Sequence, residues 1–134
     1  MDSTTFQTDV FPVLLECGKL LTRISQELKT KNAIVLVESE GLFPELLYAF
    51  NRKLPPGDGI DVILHSLGGT IDTASAIASI CRERFGAFRV VVPFMAKSAA
   101  TLLVLAANER LLTTSAQLGP VDPCLPLNNI SKRL

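Results

Sequence analysis

The sequence predicts an α/β fold with a mostly parallel sheet, on the strength of three observations. Short apolar runs rich in β-branched residues, typical of buried strands, alternate with segments whose apolar residues recur every three or four positions, typical of helices. Stretches dense in Gly and Pro separate several of these elements. Strands and helices alternating at this spacing indicate βαβ units, which have parallel pairing and right-handed crossovers. At 134 residues and 48% hydrophobic composition, the chain fits a single domain with a substantial core.

The first predicted element is an amphipathic N-terminal helix over residues 10–28. Its apolar stripe recurs at steps of four and three residues: Val10, Leu14, Cys17, Leu21, Ile24 and Leu28. Asp9 suits the N-cap and Pro12 the first turn. A helix of this kind either docks on the core of its own domain or pairs with a partner subunit.

Three further helices and four strands follow in alternation. Strands are predicted at residues 33–37, 60–65, 89–92 and 110–113, and helices at 42–51, 71–85 and 98–107. The PPGDG segment at 55–59 is a loop, and three prolines exclude regular structure between Gly119 and Pro126. Without a repeat or linker, we expect one domain over residues 1–134, with residues 128–134 as either a frayed tail or a cut end.

Composition excludes several classes of function. Thirteen basic and thirteen acidic residues give no net charge and no basic stripe, which argues against a nucleic-acid partner. Three widely spaced cysteines and a single histidine argue against a disulfide framework and against a metal site. The start of the chain lacks a signal peptide, and the most apolar stretch, 99–107, is far shorter than the ~20 residues of a membrane span. We therefore expect a cytoplasmic protein without metal, cofactor or membrane span.

A pair of glycines, Gly68 and Gly69, lies between the second strand and the helix that follows it. Two glycines let the backbone adopt positive φ and leave amide N–H groups uncovered. Amides at the start of a helix attract negative charge, so such a turn can hold a phosphate or a developing oxyanion. Taken alone, however, a Gly pair indicates no more than a tight turn.

Ser98 follows the third predicted strand and opens a helix, within the segment AKSAA at 96–100. This small-x-Ser-x-small pattern is that of a nucleophile elbow with alanines in place of the more usual glycines. A serine at such a turn projects its hydroxyl, and the amide of Ala99 points the same way and can donate to an oxyanion. Taken alone, Ser98 is better explained as a helix N-cap.

Considered together, the two turns indicate a functional site more strongly than either does alone. Strands of a parallel sheet end on the same edge, so both turns can face one cleft. A third segment, QLGPVDP at 117–123, follows the next strand and is expected at that edge too. The segments HSLGG (65–69), PFMAKSAAT (93–101) and LGPVDP (118–123) resemble the serine dehydrogenase proteinase family. That family belongs to the Clp-protease/crotonase superfamily and is related to signal peptide peptidase A. The resemblance covers roughly residues 34–123, with the motifs agreeing in order and spacing.

The resemblance implies a ββα-spiral fold, a homo-oligomer, and hydrolysis of a peptide or protein substrate without metal or cofactor. It implies Ser98 as nucleophile and the amides of Gly69 and Ala99 as oxyanion-hole donors, with Gly68 shaping the turn. Family members usually carry glycine where Ala100 stands here, a small change that is compatible with the elbow.

A serine nucleophile needs a base to take its proton, and the sequence offers two candidates within the chain. His65, the only histidine, ends the second strand near the expected cleft, although a lone His there is more often structural. Lys97 fits the Ser–Lys dyad of related peptidases, but neighbours on a helix diverge by ~100°, so it reaches a serine more easily in another subunit. A base from another protomer, or from further along the chain, is the remaining option.

Two other functions stay open. A non-catalytic, homo-oligomeric interaction subunit of the same fold is favoured by the lack of an evident base. A crotonase-type enzyme acting on an acyl-CoA shares the oxyanion hole and needs no serine. This last option is disfavoured because no basic residues lie near Gly68 and Gly69 in the sequence to bind the CoA phosphates.

Overall fold

The structure of the protein is a computed structural model, and it describes residues 19–20, 22–24, 26–29, 32–38, 41–53 and 55–121. Every strand pair in this part of the chain is parallel, which confirms the predicted α/β class. The elements run in the order β1 (Ala33–Glu38), α1 (Glu45–Lys53), β2 (Ile60–Ser66), α2 (Ile71–Phe85), β3 (Phe88–Val92), β4 (Met95–Ala96), α3 (Ala99–Ala106), β5 (Glu109–Leu112) and β6 (Gln117–Leu118).

Strand β2 is the centre of the sheet and has three neighbours. Its residues 61–66 pair with β1, so β3 and β4 must share its other edge. β3 pairs with the first half of β2, at residues 60–63, and β4 pairs with its last residue, Ser66. Beyond them, β5 pairs with β3 and β6 pairs with β4. The edge of β2 that faces away from β1 therefore pairs with β3 over its first half and with β4 at its carboxyl end.

The core lies between one face of this sheet and helices α2 and α3. Five fully buried side chains belong to this one core: Val62, Leu64 and Val90 of the strands, Ile77 of α2 and Leu103 of α3. Burying a side chain of this size stabilises the fold by about 1.5–3 kcal/mol. Cys81 of α2 is also buried here as a free thiol, and burial raises its pKa to about 12. Cys17 and Cys124 lie outside the described residues.

The opposite face of the sheet meets the N-terminal helical segment. Residues 19–20, 22–24 and 26–27 are helical, whereas residues 10–18 of the predicted helix lie outside the described residues. Arg89 of β3 donates two hydrogen bonds to the buried carboxylate of Asp61, at 2.9 and 2.8 Å, and a third to the Leu28 carbonyl at 3.1 Å. The bonds to Asp61 raise the pKa of Arg89, and the bond to Leu28 ties the end of the helical segment to the sheet.

Local chemistry shifts several boundaries from their predicted places. The helix predicted to begin at residue 42 begins at Glu45, just after Pro44, and Leu42 instead forms an isolated parallel bridge with Gly69. The strand before Ser98 is not β3, as predicted, but the two-residue strand β4, which follows a bend at Pro93. β6 was not predicted either. Within the described residues, none of the helices combines the length and apolar character that crossing a membrane requires.

Candidate active site

The Gly68–Gly69 turn leaves the carboxyl end of β2 and is packed backbone against backbone. Both glycines have positive φ, at 135° and 120°, where other residues are strained. A Cβ on Gly69 would fall inside the van der Waals radii of the Leu42 backbone nitrogen and oxygen. The Leu42 N–H donates to the Gly68 carbonyl at 2.7 Å, and the Thr70 N–H donates to the Leu42 carbonyl at 2.9 Å. Both positions therefore need glycine because of their positive φ, and Gly69 also because its neighbour leaves no room for a side chain.

This packing fixes where the two glycine N–H groups point. The Gly68 N–H donates to the hydroxyl of Ser66, at 3.2 Å, so it is satisfied inside the turn. The Gly68 carbonyl and the Gly69 N–H belong to one trans peptide unit and point in opposite directions. Because the carbonyl faces Leu42, the Gly69 N–H faces away from Leu42, and it makes no hydrogen bond to any described residue.

Ser98 occupies the N-cap of α3 in an unusual backbone conformation. Its φ is 48° and its ψ is −124°, a region that favours glycine and costs a serine of order 1–3 kcal/mol. The hydroxyl does not cap the helix, and it has no hydrogen-bond partner among the described residues. This contradicts the simple N-cap interpretation, in which the hydroxyl accepts from the first turn. The geometry is that of a strained strand-to-helix elbow.

Ser98 and the Gly pair lie in contact, as the sequence predicts. A Cβ on Gly68 would approach the Ser98 Cβ to 2.9 Å and its Oγ to 3.5 Å, so only glycine leaves room for the serine. Ser98 itself is half-buried, and its hydroxyl is not in the packed interior. The Ala99 N–H lies in the same peptide unit as the Ser98 carbonyl, which accepts from Thr101 at 2.9 Å inside α3. The Ala99 N–H therefore points out of the helix start, where helices carry positive potential.

The third segment also reaches this edge of the sheet. β6 pairs with β4, and the Pro120 carbonyl accepts a hydrogen bond from the Ser98 N–H at 3.0 Å. Residues 117–121 thus line the elbow, while Asp122 and Pro123 of the predicted segment lie outside the described residues.

The two candidate bases are engaged elsewhere. The Lys97 ammonium donates to the side-chain oxygen of Gln117 at 3.0 Å. The His65 ring stacks on Phe94, with ring centroids 6.0 Å apart. Neither forms a hydrogen bond with the Ser98 hydroxyl. Across the described part of the chain, no three His, Cys, Asp or Glu side chains cluster closely enough to hold a metal ion.

Two hydroxyl residues that shape the site went unnoticed in the sequence. Ser66 satisfies the Gly68 N–H, and Thr101 bonds both the Ala96 carbonyl and the Gly119 N–H. The Gly119 partner lies 18 residues from Thr101, so no local pattern marks it. For Ser66, a hydroxyl two residues before a glycine is a known turn signal and was available.

Comparison with known proteins agrees with the resemblance seen in the sequence. Residues 38–132 match the model of a family described as ClpP-like SDH-type serine proteinases. Two uncharacterized proteins of Methanocaldococcus jannaschii are 36% identical over 122 residues and 37% identical over 79 residues, covering 80% and 59% of this chain. The chain spans only 42% and 27% of the length of these two relatives.

Among solved structures, the ClpP protease catalytic domain from Plasmodium falciparum is similar to this chain. The two superpose with a TM-score of 0.52 at 18% sequence identity, covering 66% of this chain and 54% of the other. At this identity the likeness concerns the fold, and it confirms the predicted Clp-protease-like architecture.

Proposed function

Because this chain belongs to the family of ClpP-like SDH-type serine proteinases, we propose that it hydrolyses peptide bonds with Ser98 as the nucleophile. The observation that carries the proposal is the backbone of Ser98, held at positive φ against Gly68 with its hydroxyl unbonded among the described residues. Strain of this kind persists only where the surroundings impose it, and it concentrates at functional sites.

The chemistry follows from the groups that surround the hydroxyl. The Ser98 Oγ adds to the carbonyl carbon of the scissile peptide bond, and negative charge develops on the carbonyl oxygen. The N–H groups of Gly69 and Ala99 are the proposed donors to that oxyanion, supported by the positive end of α3. One such donor typically contributes 10²- to 10³-fold, or about 3–4 kcal/mol, to kcat. The amine then leaves with a proton, and water hydrolyses the acyl-enzyme.

The base is the part of the proposal that this arrangement leaves open. Proton transfer from Ser98 requires Lys97 to leave Gln117, His65 to leave Phe94, or a group from outside the described residues to approach. A base supplied by another protomer would not have to break either of these contacts.

The alternative is a non-catalytic subunit of the same fold, favoured because no described group bonds the Ser98 hydroxyl. That alternative gives no reason for the strain at Ser98. A glycine at position 98 would adopt the same backbone without it, and a helix needing only a cap would take ordinary dihedral angles.

A fluorophosphonate probe, which phosphonylates activated serines, tests the proposal. We expect one label per chain on Ser98 and none in Ser98→Ala. Ser75→Ala, which removes an exposed hydroxyl from α2, is the matched control and should label like the wild type. Absence of labelling on folded protein, confirmed by circular dichroism, would count against the proposal, as would equal labelling of Ser98→Ala.

Assembly and compartment belong to the same proposal. Parallel sheets are normally covered on both faces, yet Val37 of β1 is 65% exposed in the single chain. Covering it in a homo-oligomer accounts for that exposure, and light scattering measures the mass.

The buried free thiol of Cys81 fits a reducing cytoplasm.

A further inference from the structure

The side chain of Thr101 connects the three segments that meet at Ser98. Its hydroxyl donates to the carbonyl of Ala96, the last residue of β4, at 2.7 Å. The same hydroxyl accepts from the N–H of Gly119, the first residue after β6, at 2.9 Å. Thr101 itself lies in the first turn of α3 and is only 5% exposed. One buried hydroxyl thus joins the strand before the elbow, the helix after it and the third segment.

The peptide unit that precedes Ser98 depends on these side-chain contacts, whereas the one that follows it is held by the backbone of Thr101. The Ser98 N–H donates to Pro120, whose position follows from the Gly119 bond to Thr101. The Ser98 carbonyl accepts from the Thr101 N–H at 2.9 Å. A strained φ is retained only while its surroundings enforce it. The Thr101 hydroxyl is positioned to supply that enforcement through Ala96 and Gly119, and the backbone bond to the Ser98 carbonyl is kept when the side chain is changed.

An ordinary structural role does not explain this pattern. Threonine inside a helix often bonds the carbonyl three or four residues earlier, within its own helix. The acceptor here is five residues earlier and outside the helix, and the second partner lies 18 residues later. Both partners are backbone groups of segments that bracket Ser98.

We propose that Thr101 is a positioning residue that holds the Ser98 elbow in its reactive conformation through Ala96 and the Gly119–Pro120 segment. This inference rests on the proposed role of Ser98 as nucleophile. It predicts that loss of the Thr101 hydroxyl lowers the reactivity of Ser98 more than it loosens substrate binding.

Thr101→Val, which keeps the shape and removes the hydroxyl, tests the inference. We expect the second-order rate of fluorophosphonate labelling at Ser98 to fall at least 10-fold, and Thr101→Ser to stay within about 3-fold of the wild type. With a peptide substrate, kcat should fall by the same factor as labelling, with little change in KM. The amides of Ser98 and Gly119 should lose protection in hydrogen exchange, while those of the α2 interior keep theirs.

Thr73→Val is the matched control. Thr73 is equally buried in the first turn of α2, where its hydroxyl bonds that of Thr70 at 2.6 Å. We expect this variant to lose stability and to keep wild-type labelling. If labelling of Ser98 slows equally in both valine variants, the cause is a general loss of packing, and the inference is overturned.

The outcomes separate this inference from the proposed function. If wild-type protein is not labelled at Ser98, the proposed function fails. If the wild type is labelled and folded Thr101→Val reacts at the same rate, the positioning role fails while the function stands. Should Thr101→Val not fold, Thr101→Cys, whose thiol is a weak donor and acceptor, takes its place. Slowed labelling of that variant supports the inference, and a wild-type rate overturns it.

Discussion

Two turns of this chain join a strand to a helix through a hydroxyl residue at the N-cap, and the two residues behave differently. Thr70, after β2, has ordinary dihedral angles, φ −85° and ψ 140°, and its hydroxyl accepts from the Thr73 N–H at 3.2 Å. Ser98, after β4, has φ 48° and ψ −124°, and its hydroxyl caps nothing. The first turn uses its hydroxyl to stabilise a helix, whereas the second keeps a hydroxyl at the expense of backbone strain.

The difference teaches that residue type at an N-cap does not reveal the role of the residue. Serine and threonine are both preferred caps, and both stand here at the start of a helix. What separates them is the backbone, which is relaxed at Thr70 and strained at Ser98. The following predictions test that contrast through the free energy of unfolding, from the largest expected effect to the smallest.

Gly69→Ala tests whether the Thr70 turn depends on its close backbone packing. We expect the free energy of unfolding, measured in urea, to fall by about 3 kcal/mol, because a Cβ there meets the Leu42 backbone at an unfavourable φ. Gly86→Ala is the control, since Gly86 also has positive φ but has nothing within 4 Å of the added carbon. It should lose only about 1 kcal/mol, from backbone strain alone. Equal losses in the two variants would contradict the packing argument.

Thr70→Ala tests the relaxed cap. Removing the hydroxyl leaves the Thr73 N–H without its acceptor, so we expect the free energy of unfolding to fall by about 1 kcal/mol. Thermal unfolding followed by circular dichroism measures the change. An unchanged midpoint would mean that water replaces this cap without loss.

Ser98→Gly tests the strained cap and should act in the opposite direction. Relief of strain of order 1–3 kcal/mol is partly offset by the 0.5–1 kcal/mol entropy cost of glycine, for a net gain of about 1 kcal/mol. Ser98→Ala keeps the strain and loses no cap, so it should stay within about 0.5 kcal/mol of the wild type. A loss of about 1 kcal/mol in Ser98→Ala, matching Thr70→Ala, would show that the Ser98 hydroxyl caps α3 after all.

The long elements of the fold could be predicted from the sequence because their patterns are strong. β2 and α2 carry continuous or periodic apolar residues, and their predicted and observed bounds agree to within one residue. β4 and β6 were missed because strands of two residues have no period to detect. The start of α1 was misplaced because apolar Leu42 looks helical in sequence but bridges Gly69 in space.

Some features of the site could also be predicted from the sequence, and others could not. The nearness of Ser98 to the Gly pair was predictable, since parallel strands bring their carboxyl ends to one edge. The strain at Ser98 and the contacts of Thr101 were not, because they depend on backbone groups that only the folded chain brings close. The expected place of Asp122 and Pro123 at this edge, and the helix over 10–18, stay predictions, since these residues lie outside the described ones.

The buried thiol of Cys81 has a practical consequence for all these measurements. Burial raises its pKa to about 12, so very little thiolate is present at pH 7, and packing shields the sulfur from reagents. Alkylation at this residue therefore requires the core between α2 and the sheet to open. When reclosing outpaces the reagent, the modification rate reports the population of opened chains. The modification rate of Cys81 therefore measures the equilibrium between closed and opened chains without any added fluorophore.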